Sequence, residues 1–299
     1  MSRRRRGQKV DGWIVLDKPV GLGSTEAVSR VRRLLDAQKA GHGGTLDPLA
    51  SGVLPIGLGE ATKAMAYIVD SSKDYEFTIR WGEARTTDDC EGAVVAVSPV
   101  RPGHADIEAA LPRFTGEILQ APPAFSAIRQ DGVRAYDRAR AGETVVLPPR
   151  PVSVMALRHL GTAPDRSESR FSMTCGKGTY VRALARDLAQ ALGTVGHVAA
   201  LRRTRVGPFS LEHAISLENL EALGHGAPAR EVAHPVATAL DDIPALAVTE
   251  AEARQIHDGQ RLRLSTACEG RVRILSDGRL IAVAEVRNGV LHPLRVFHL

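Results

Sequence analysis

Hydrophobic residues recur along this chain with two different periods, and each period predicts one kind of element. In KDYEFTIRWG every second residue is apolar or aromatic, which predicts a strand with one buried face. In TYVRALARDLAQALG apolar residues recur every three or four positions, which predicts an amphipathic helix that ends at Gly193. The buried faces consist of Tyr75, Phe77, Ile79 and Trp81 in the strand, and of Val181, Leu184, Leu188 and Leu192 in the helix.

The same patterns predict further elements of both kinds in the rest of the chain. A helix is expected from Thr25 to about Leu35, with Ser24 as its N-cap. The other predicted strands are WIVLD, VLPIGL, GAVVAVSPV, FSAIR, PVSVMALRHL and RFSMTCGKG, and the other predicted helices are EATKAMAYIV, DIEAALPRF and GVRAYDRARAG. Because the strands do not alternate strictly with helices, an α+β fold with a mixed sheet is expected rather than a doubly wound parallel sheet.

A stretch of weak periodicity divides the chain into two predicted domains. Residues 223–242 are rich in Ala, Gly and Pro and are predicted to be a linker. The main domain before it spans residues 10–222. After it, residues 243–299 contain short strands separated by SDGR and RNG turns, which predicts a small barrel-like β domain. Its strands are RLRLS, RVRILS, LIAVAEV and LHPLRVF.

The composition is that of an ordinary globular protein, with 43% hydrophobic and 24% charged residues in 299. No apolar run is long enough to span a membrane, and the N-terminus lacks the apolar part of a signal peptide, so a cytoplasmic protein is expected. The three cysteines lie far apart and the ten histidines form no HExxH, so no structural metal is expected. Neither GKGT nor GLGEATK completes a nucleotide-binding fingerprint, so no cofactor is expected either.

Positive charge is concentrated in two places. Residues 1–9 carry five cations and no acid, which equals the whole net charge of +5, and they are predicted to be a disordered tail. Between Arg170 and Ser210, seven basic residues stand against one acid, Asp187. Such a patch is typical of nucleic-acid binding, although a solvated helix face would give the same count. The seven residues are Arg170, Lys177, Arg182, Arg186, Arg202, Arg203 and Arg205.

One stretch, GHGGTLDPLASGVLPIGLGEATK at residues 41–63, places a single aspartate, Asp47, among glycines and small or apolar residues. In most proteins an Asp-Pro pair in such a loop forms a turn in which the aspartate caps its own backbone amides. The alternative is a functional carboxylate. Since the chain on both sides is predicted to pack, an ionised Asp47 would need a cationic partner.

Five motifs, in this order, resemble those of the bacterial tRNA pseudouridine-55 synthase B family. They are DGWIVLDKPVGLGST, the Asp47 stretch, SKDYEFTIRWG, APPAFSAIRQDGVRAYDRARAG, and CGKGTYVRALARDLAQALG followed by HVAALRRTRVGPF. The resemblance covers residues 10 to about 215. It implies the pseudouridine synthase fold, in which helices flank a mixed, largely antiparallel sheet, with a small PUA-type RNA-binding domain at the C-terminus. It also implies isomerisation of the T-loop uridine at position 55 of tRNA. A monomer is expected, although nothing in the sequence determines the oligomeric state.

Matched position by position, the resemblance implies a catalytic set and a pocket. Asp47 matches the family's catalytic aspartate, Tyr75 its active-site tyrosine, and Arg182 the arginine that pairs with the aspartate. The implied pocket residues are His42, which fills the space left by a flipped base, Lys18, which supports the catalytic loop, Tyr180, and Leu201, an apolar wall.

Two departures from the family pattern and one group of cations complete the predicted site. ARTTDDCEG has Thr86 where many relatives carry an acid, so Asp89 receives only a substrate-binding role, and Gly43 stands where threonine is often found. The C-terminal residues resemble the family's PUA-type module only loosely. The cations predicted to bind the RNA backbone are Lys177, Arg202, Arg203 and Arg205.

The expected reaction requires a carboxylate and an aromatic pocket. The bond from uracil N1 to ribose C1′ must break, and the ring must turn and rejoin C1′ through C5. Carbon C1′ becomes electron-poor, as in glycosidases, where a carboxylate acts as nucleophile or electrostatic stabiliser. Asp47 could attack C1′ or remove a ribose proton to give a glycal, and both routes stay open. A two-pronged Arg182 would keep the carboxylate ionised and aimed.

A uridine stacked in folded RNA must be flipped out before it can reach Asp47. Tyr75 would stack on the extruded uracil and Leu201 would close its other side. Tyr75 could also accept the C5 proton, for which a phenol with a pKa of ~10 is poorly suited. Two other functions stay open. One is a tRNA-binding chaperone without catalysis, and the other is a base-excising enzyme that pairs Asp47 with a second acid.

Overall fold

The computed structural model describes residues 7–130, 132–224, 229–264 and 268–299. The helices are α1 (Ser24–Leu34), α2 (Met65–Asp70), α3 (His104–Ala110), α4 (Ala135–Arg140), α5 (Val181–Ala191), α6 (Leu217–Ala222), α7 (Ala229–Val232) and α8 (Glu250–His257). Short 3₁₀ helices span Gly59–Ala64, Leu111–Phe114, Leu211–His213 and Val236–Leu240.

The strands of the larger sheet are β1 (Gly12–Lys18), β2 (Ala40–His42), β3 (Ala50–Leu58), β4 (Lys73–Trp81), β7 (Gly116–Gln120), β10 (Arg150–Thr162), β11 (Glu168–Cys175), β12 (Gly196–Val206), β13 (Phe209–Ser210) and β14 (Ile215–Ser216). Two separate hairpins pair β5 (Glu83–Arg85) with β6 (Val94–Val97) and β8 (Arg129–Gln130) with β9 (Val133–Arg134). The smaller sheet contains β15 (Ala245–Ala247), β16 (Leu262–Arg263), β17 (Gly270–Ser276), β18 (Arg279–Arg287) and β19 (Val290–Val296).

The larger sheet is mixed and largely antiparallel. Its strand order is β14-β1-β3-β12-β4-β11-β10-β7, with β2 added on β3 and β13 on β12. The seams between β1 and β14 and between β3 and β12 are parallel, and the other seams in this order are antiparallel. The predicted α+β class with a mixed sheet is therefore confirmed. No helix within the described parts of the chain is long and apolar enough to cross a membrane.

The two strongest sequence patterns form the elements that they predict. Helix α5 buries its apolar face, including Leu184 and Leu188, in the main core, and Gly193 follows it with a φ of +70°. Strand β4 alternates as expected. Phe77 stacks on Phe171 of β11 at 5.4 Å between ring centroids, and Trp81 meets the same ring edge-on. Packing of α5 against this part of the sheet forms the floor on which the site is built.

At two other places the strands differ from what the sequence patterns predict. The segment FSAIR is a bent loop up to Ile128, because its carbonyl groups accept bonds from Arg182 and from the start of α4 instead of from a neighbouring strand. Conversely, no element was predicted for residues 196–206, which form β12 in the middle of the sheet. The sequence RRTR hides the strand pattern, since none of these side chains is apolar.

The predicted N-cap of the first helix is also wrong. The helix begins at Ser24 itself, and Gly23 occupies the N-cap position without a side-chain bond. The Ser24 hydroxyl instead donates to the Leu46 carbonyl at 2.7 Å and accepts from the Leu46 amide at 2.8 Å. The side chain that could cap the helix is therefore used to hold the loop that carries Asp47.

Both ends of the main domain are more ordered than the sequence suggested. Within the predicted tail, Gln8 is bridged to Ala37 and Lys9 pairs with Asp11, so residues 7–9 pack on the fold, while residues 1–6 lie outside the described residues. The predicted linker 223–242 is likewise packed over its second half, because Trp13 donates its indole N–H to the Val236 carbonyl.

A second core connects the two sheets. Trp13 and Phe209 of the larger sheet contact each other at 5.6 Å between ring centroids. The same buried cluster contains Leu240 from the predicted linker, together with Val283 and Phe297 from the smaller sheet or its C-terminal flank. We refer to this cluster as the shared core. It packs the smaller sheet against the larger one.

We expect Gly52→Ala to lower the free energy of unfolding by about 2–4 kcal/mol. Gly52 has a φ of +102°, and a Cβ atom there would lie 2.1 Å from the Arg203 carbonyl oxygen across the parallel seam of β3 and β12. Gly116→Ala is the matched control, because Gly116 has a φ of +93° with open space around it and should lose only about 1 kcal/mol. Equal losses in urea unfolding would contradict the steric argument.

Candidate active site

The loop between β2 and β3, which carries Asp47, is held through its backbone by side chains from other segments. Ser24 binds both polar groups of the Leu46 peptide, as described above. The Lys18 ammonium, which is fully buried, donates to the Pro48 carbonyl at 3.5 Å and more closely to the loop that follows β1. These contacts make the loop a rigid support for a carboxylate. A simple Asp-Pro turn would need only hydrogen bonds within the turn itself.

Arg203 supplies a third support for this loop. Its side chain is 1% exposed and donates to the carbonyl groups of Val53 at 2.8 Å, Thr45 at 3.2 Å and Gly44 at 3.1 Å. The guanidinium is thus occupied by the backbone of the loop, which leaves little surface for the predicted contact with the RNA backbone. These bonds hold in place the loop that carries Asp47.

Asp47 faces Arg182, which extends from the first turn of α5. The Arg182 Nε lies 2.8 Å from Asp47 Oδ2, although its N–H bond is not aligned with that oxygen, so the contact is a charge pair. Arg182 is buried, whereas about a third of the Asp47 side chain (34%) is exposed to the cavity. The pairing predicted from the sequence is thus present, and the carboxylate keeps an accessible face.

The predicted two-pronged geometry is not present. The two terminal nitrogens of Arg182 donate to the carbonyl groups of Thr87 at 2.8 Å and Phe125 at 2.9 Å. One of them also lies 3.5 Å from Asp89 Oδ2. Because two carbonyl groups fix the plane of the guanidinium, only Nε is left to face Asp47.

Asp89 is a partner of this arginine and not an open binding group. Its side chain is 3% exposed, accepts bonds from the Thr87 hydroxyl and the Glu91 amide, and lies beside Arg182. The predicted substrate-binding role for Asp89 therefore has little surface to act through. Arg182 is shared by two carboxylates, of which only Asp47 has an exposed face.

Two hydrogen bonds from one side-chain amide fix the start of α5. Gln120, which is buried at the end of β7, accepts from the Tyr180 amide at 2.8 Å and donates to the Tyr180 carbonyl at 3.1 Å. The Tyr180 ring lies against the Arg150 guanidinium at 5.5 Å. Because Arg182 comes two residues later, this clamp also fixes the cation that faces Asp47.

The alternation of two paired strands decides which side chains enter the site. Tyr75 of β4 is paired with Arg203 of β12, and Phe77 is paired with Leu201. Leu201 and Arg203 therefore lie on the face that carries Tyr75, while Arg202 between them points to the opposite face. A bulge between Arg203 and Arg205 shifts the register, so that Arg205 is paired with Asp74.

These elements enclose a cavity of about 1000 Å³. Most of the residues predicted for the site line it, with Lys18, Arg202 and Arg205 as the exceptions. The predicted residues that line the cavity are Asp47, Tyr75, Arg182, His42, Tyr180, Leu201, Asp89, Lys177 and Arg203. Lys18 instead lies behind the loop, in the supporting position that the resemblance implies.

Burial changes the protonation of several groups around the carboxylate. Burial raises the pKa of the Tyr75 phenol, partly opposed by the Arg203 guanidinium, so its hydroxyl is neutral at physiological pH. Burial also lowers the pKa of Lys18 to about 8, partly opposed by Asp47, so this ammonium is still charged at neutral pH. His42 has its pKa lowered by burial and by Arg203, which favours the neutral imidazole in the cavity.

The remaining predicted cations are arranged differently from one another. Lys177 is exposed at the cavity rim and pairs with Asp70 at 2.9 Å. Arg202 lies outside this cavity and pairs with Asp17 at 2.8 Å. Arg205 makes a two-pronged pair with Asp74 at 2.7 and 2.9 Å. Of these three, Lys177 is the one placed to meet a ligand entering the cavity.

Three exposed arginines at the cavity mouth were missed in the sequence. Arg129, Arg134 and Arg140 line it, and the last two stack on the Tyr136 ring at 5.7 and 5.3 Å. We refer to Arg129, Arg134, Arg140 and Lys177 as the rim cations. The available signal was the charge of residues 129–140, where four arginines stand against two aspartates.

This arrangement can stabilise positive charge that develops on a bound molecule. An exposed carboxylate face lies on a rigid loop beside a buried arginine, and aromatic and apolar walls from Tyr75 and Leu201 face the same space. Among the described residues, one group of histidine and carboxylate side chains is close enough to share a metal ion, and it does not line this cavity.

Family profiles match consecutive parts of the chain. The profile described as "TruB family pseudouridylate synthase (N terminal domain)" matches residues 32–181. The one described as "tRNA pseudouridylate synthase B C-terminal domain" matches residues 182–241, and "Pseudouridine synthase II TruB, C-terminal" matches residues 244–297.

Curated relatives match over the full length and carry the name tRNA pseudouridine synthase B. The protein from Bradyrhizobium diazoefficiens is 54% identical, over 99% of this chain and 88% of its own. The proteins from Rhodospirillum rubrum and Caulobacter vibrioides are 52% and 53% identical, each over 100% of both chains.

Solved structures share the fold at lower identity. A chain of the "Crystal Structure of a Cbf5-Nop10-Gar1 Complex" superposes with a TM-score of 0.72 at 24% identity, covering 96% of this chain and 85% of that one. A chain of the "Structure of H/ACA RNP bound to a substrate RNA containing 2'-deoxyuridine" gives 0.71 at 22% identity, covering 100% and 92%.

Proposed function

The chain belongs to the TruB family of pseudouridylate synthases, and from this premise we propose that it isomerises the T-loop uridine at position 55 of tRNA with Asp47 as catalytic carboxylate. It is an isomerase that makes pseudouridine in tRNA, and it has the pseudouridine synthase fold with a PUA-like C-terminal sheet. The observation that carries the role of Asp47 is its charge pair with Arg182 at the base of the cavity.

Asp47 acts on the glycosidic bond. As N1 leaves C1′ with the bonding electron pair, C1′ becomes positive, and the carboxylate either bonds to C1′ or removes the proton on C2′ to give a glycal. In either case the uracil turns within the cavity before C5 bonds to C1′. In the first route C5 displaces the carboxylate from C1′, and in the second the carboxylic acid returns its proton to C2′ as the new bond forms. The proton on C5 is then lost to solvent or to a base.

Tyr75 and Leu201 hold the detached ring. Each lies on the same face of the paired strands β4 and β12, and both line the cavity above Asp47. A planar ring between an aromatic and an aliphatic wall can rotate in its own plane without leaving. Because burial raises the pKa of Tyr75, its hydroxyl is suited to donate a hydrogen bond and unsuited to accept the C5 proton.

The rim cations bind the phosphates of the RNA around the flipped nucleotide. They are exposed, they come from two separate segments of the chain, and they line the cavity that holds Asp47. Recognition of a folded stem-loop by backbone and shape fits such a group of charges better than base-edge readout does.

We expect the double variant Arg134→Ser/Arg140→Ser to bind unmodified tRNA more weakly and with a smaller salt dependence. Each lost phosphate contact should reduce the slope of log K against log salt by about 0.7–0.9, or by about 1.5 for both. Filter binding at salt concentrations from about 50 to 300 mM measures both the affinity for tRNA and its salt dependence. Arg202→Ser, outside this cavity, is the control, and an equal effect there would contradict the assignment of the rim.

The experiment that tests the proposed function uses a tRNA transcript tritiated at uracil C5. The wild-type protein should release tritium, and mapping of the product should place pseudouridine at position 55. Release of label without pseudouridine at that position would move the target elsewhere in the tRNA. Tight binding without any release, by a folded protein, would support the tRNA chaperone in place of the proposed reaction.

One observation keeps the base-excising alternative in view. Glu91 lines the same cavity, and burial together with Asp89 and Asp47 raises the pKa of its carboxyl group, so a second acid is present. An excising enzyme would release free uracil and leave an abasic site. Chromatography of the same reaction distinguishes the two, since an isomerase leaves no free base.

A further inference from the structure

We propose that His104, Glu108 and His159 form a zinc site that joins helix α3 to strand β10, outside the catalytic cavity. One ligand atom from each of the three side chains lies within 4.8 Å of the other two. Two imidazole nitrogens and a carboxylate oxygen are the ligand types that zinc prefers, and three protein ligands leave its fourth position for water. The proposal is independent of the reaction proposed above.

The sequence positions explain how the ligands come together. His104 and Glu108 are four residues apart on α3, so their side chains lie on one face of the helix, one turn apart. His159 is on β10, 51 residues after Glu108, and the sheet places its ring 4.8 Å from the His104 ring between centroids. HExxH and similar local motifs do not include such an arrangement, so the sequence alone did not indicate it.

His159 is the observation that points to a ligand. Its side chain is 0% exposed, and its Nδ1 atom is buried without a hydrogen-bond partner among the described residues. Glu108 Oε1 lies 3.4 Å from this atom, which is too long for a strong hydrogen bond. A buried ring nitrogen without a partner is destabilising, and an ion between it and Glu108 would satisfy both.

The other nitrogen of His159 is already held. Its Nε2 lies 2.9 Å from the Thr162 hydroxyl, which in turn lies 2.9 Å from the Ser169 hydroxyl. The Trp81 indole N–H donates to Ser169 at 2.9 Å. Ligating histidines commonly bind an outer partner through the second ring nitrogen, which fixes the ring and the tautomer. This chain of bonds gives His159 that outer partner.

The other two ligands can close on an ion. His104 and Glu108 are exposed, so their side chains can rotate from the present spacing toward zinc distances of roughly 2.0–2.2 Å. Among the residues that the structure describes, no lysine or arginine nitrogen lies within 4.0 Å of the Glu108 carboxylate, so no fixed cation competes there.

The test is zinc titration of the tag-free, metal-stripped full-length protein against a chromogenic chelator. The wild type should have one site that competes with the chelator for zinc. His104→Ala and Glu108→Gln should each weaken zinc binding at that site by more than about tenfold. Both positions are exposed, so the fold should tolerate these changes. Zinc should also raise the Tm of the wild type and leave that of either variant unchanged.

Two matched variants make the result specific. Glu117→Gln removes an exposed carboxylate of β7, and His213→Ala disrupts a different histidine pair, His213 and His234, whose rings are 5.5 Å apart. Both should bind zinc like the wild type. Binding that is lost in His213→Ala but kept in His104→Ala, or a wild type that takes up no zinc, would overturn the proposal. Magnesium should not compete, because it requires oxygen ligands.

Discussion

Asp47→Asn should reduce the rate of pseudouridine formation by about 10⁴-fold or more while leaving tRNA binding nearly unchanged. The amide keeps the size and shape of the side chain, but it can neither bond to C1′ as a nucleophile nor stabilise positive charge there. The fold should survive, because the loop is held by Ser24, Lys18 and Arg203 through backbone groups and not through the carboxylate. Single-turnover tritium release at saturating enzyme measures the effect.

Asp17→Asn is the matched control for this variant. Asp17 also pairs with an arginine at 2.8 Å, Arg202, but outside this cavity. Its loss should leave the single-turnover rate within about threefold of the wild type, as for a surface pair that contributes little. A residual rate in Asp47→Asn within tenfold of the wild type would exclude Asp47 as the catalytic carboxylate and direct attention to Glu91.

Arg203→Lys should reduce kcat by about 10²-fold with little change in tRNA affinity. One ammonium cannot replace three directed N–H groups, so the carbonyl groups of Gly44 and Thr45 would lose their donors and Asp47 would shift. Displacements of about 1 Å in a reacting group can cost 10²-fold. Steady-state kinetics together with filter binding separates this positioning role from a contact with RNA.

Arg202→Lys is the neighbouring control, since Arg202 points to the opposite face of the same strand. It should leave kcat unchanged. If Arg203→Lys instead weakened tRNA binding and flattened its salt dependence at constant kcat, the guanidinium would be a phosphate contact, and the positioning role would be wrong. Urea unfolding of both variants checks for a loss of stability. Arg203→Lys should lower the free energy of unfolding more than Arg202→Lys does, because Arg203 is buried.

Local periodicity predicted the elements that carry the site. Strand β4 and helix α5 have regular patterns because each packs one face on the core, and the pattern of each depends on its own residues only. The same was not true of β12. Whether Arg202 or Arg203 points inward depends on the register between β12 and β4, and whether Arg205 follows depends on a bulge, neither of which RRTR encodes locally.

The residues around Asp47 also differ in how far the sequence predicts them. The resemblance supplied the pairing with Arg182, and the structure brings the two together. The carbonyl groups of Thr87 and Phe125, which orient that arginine, come from segments whose distance in sequence gives no sign of the contact. The site residues that could not be predicted are therefore those whose role depends on tertiary packing and not on their own chemistry.

Because of the shared core, the main domain cannot be separated from the C-terminal sheet without exposing apolar side chains. Trp13 and Phe209 share one buried cluster with Val283 and Phe297, so a chain ending at residue 242 would expose apolar surface that this cluster buries. Such a fragment should aggregate instead of reporting the activity of an isolated catalytic domain. The shared core fixes the distance between the two sheets before any RNA binds. An RNA that contacts both sheets must therefore have a bend that fits this distance, so the buried apolar residues determine which RNA shapes can bind.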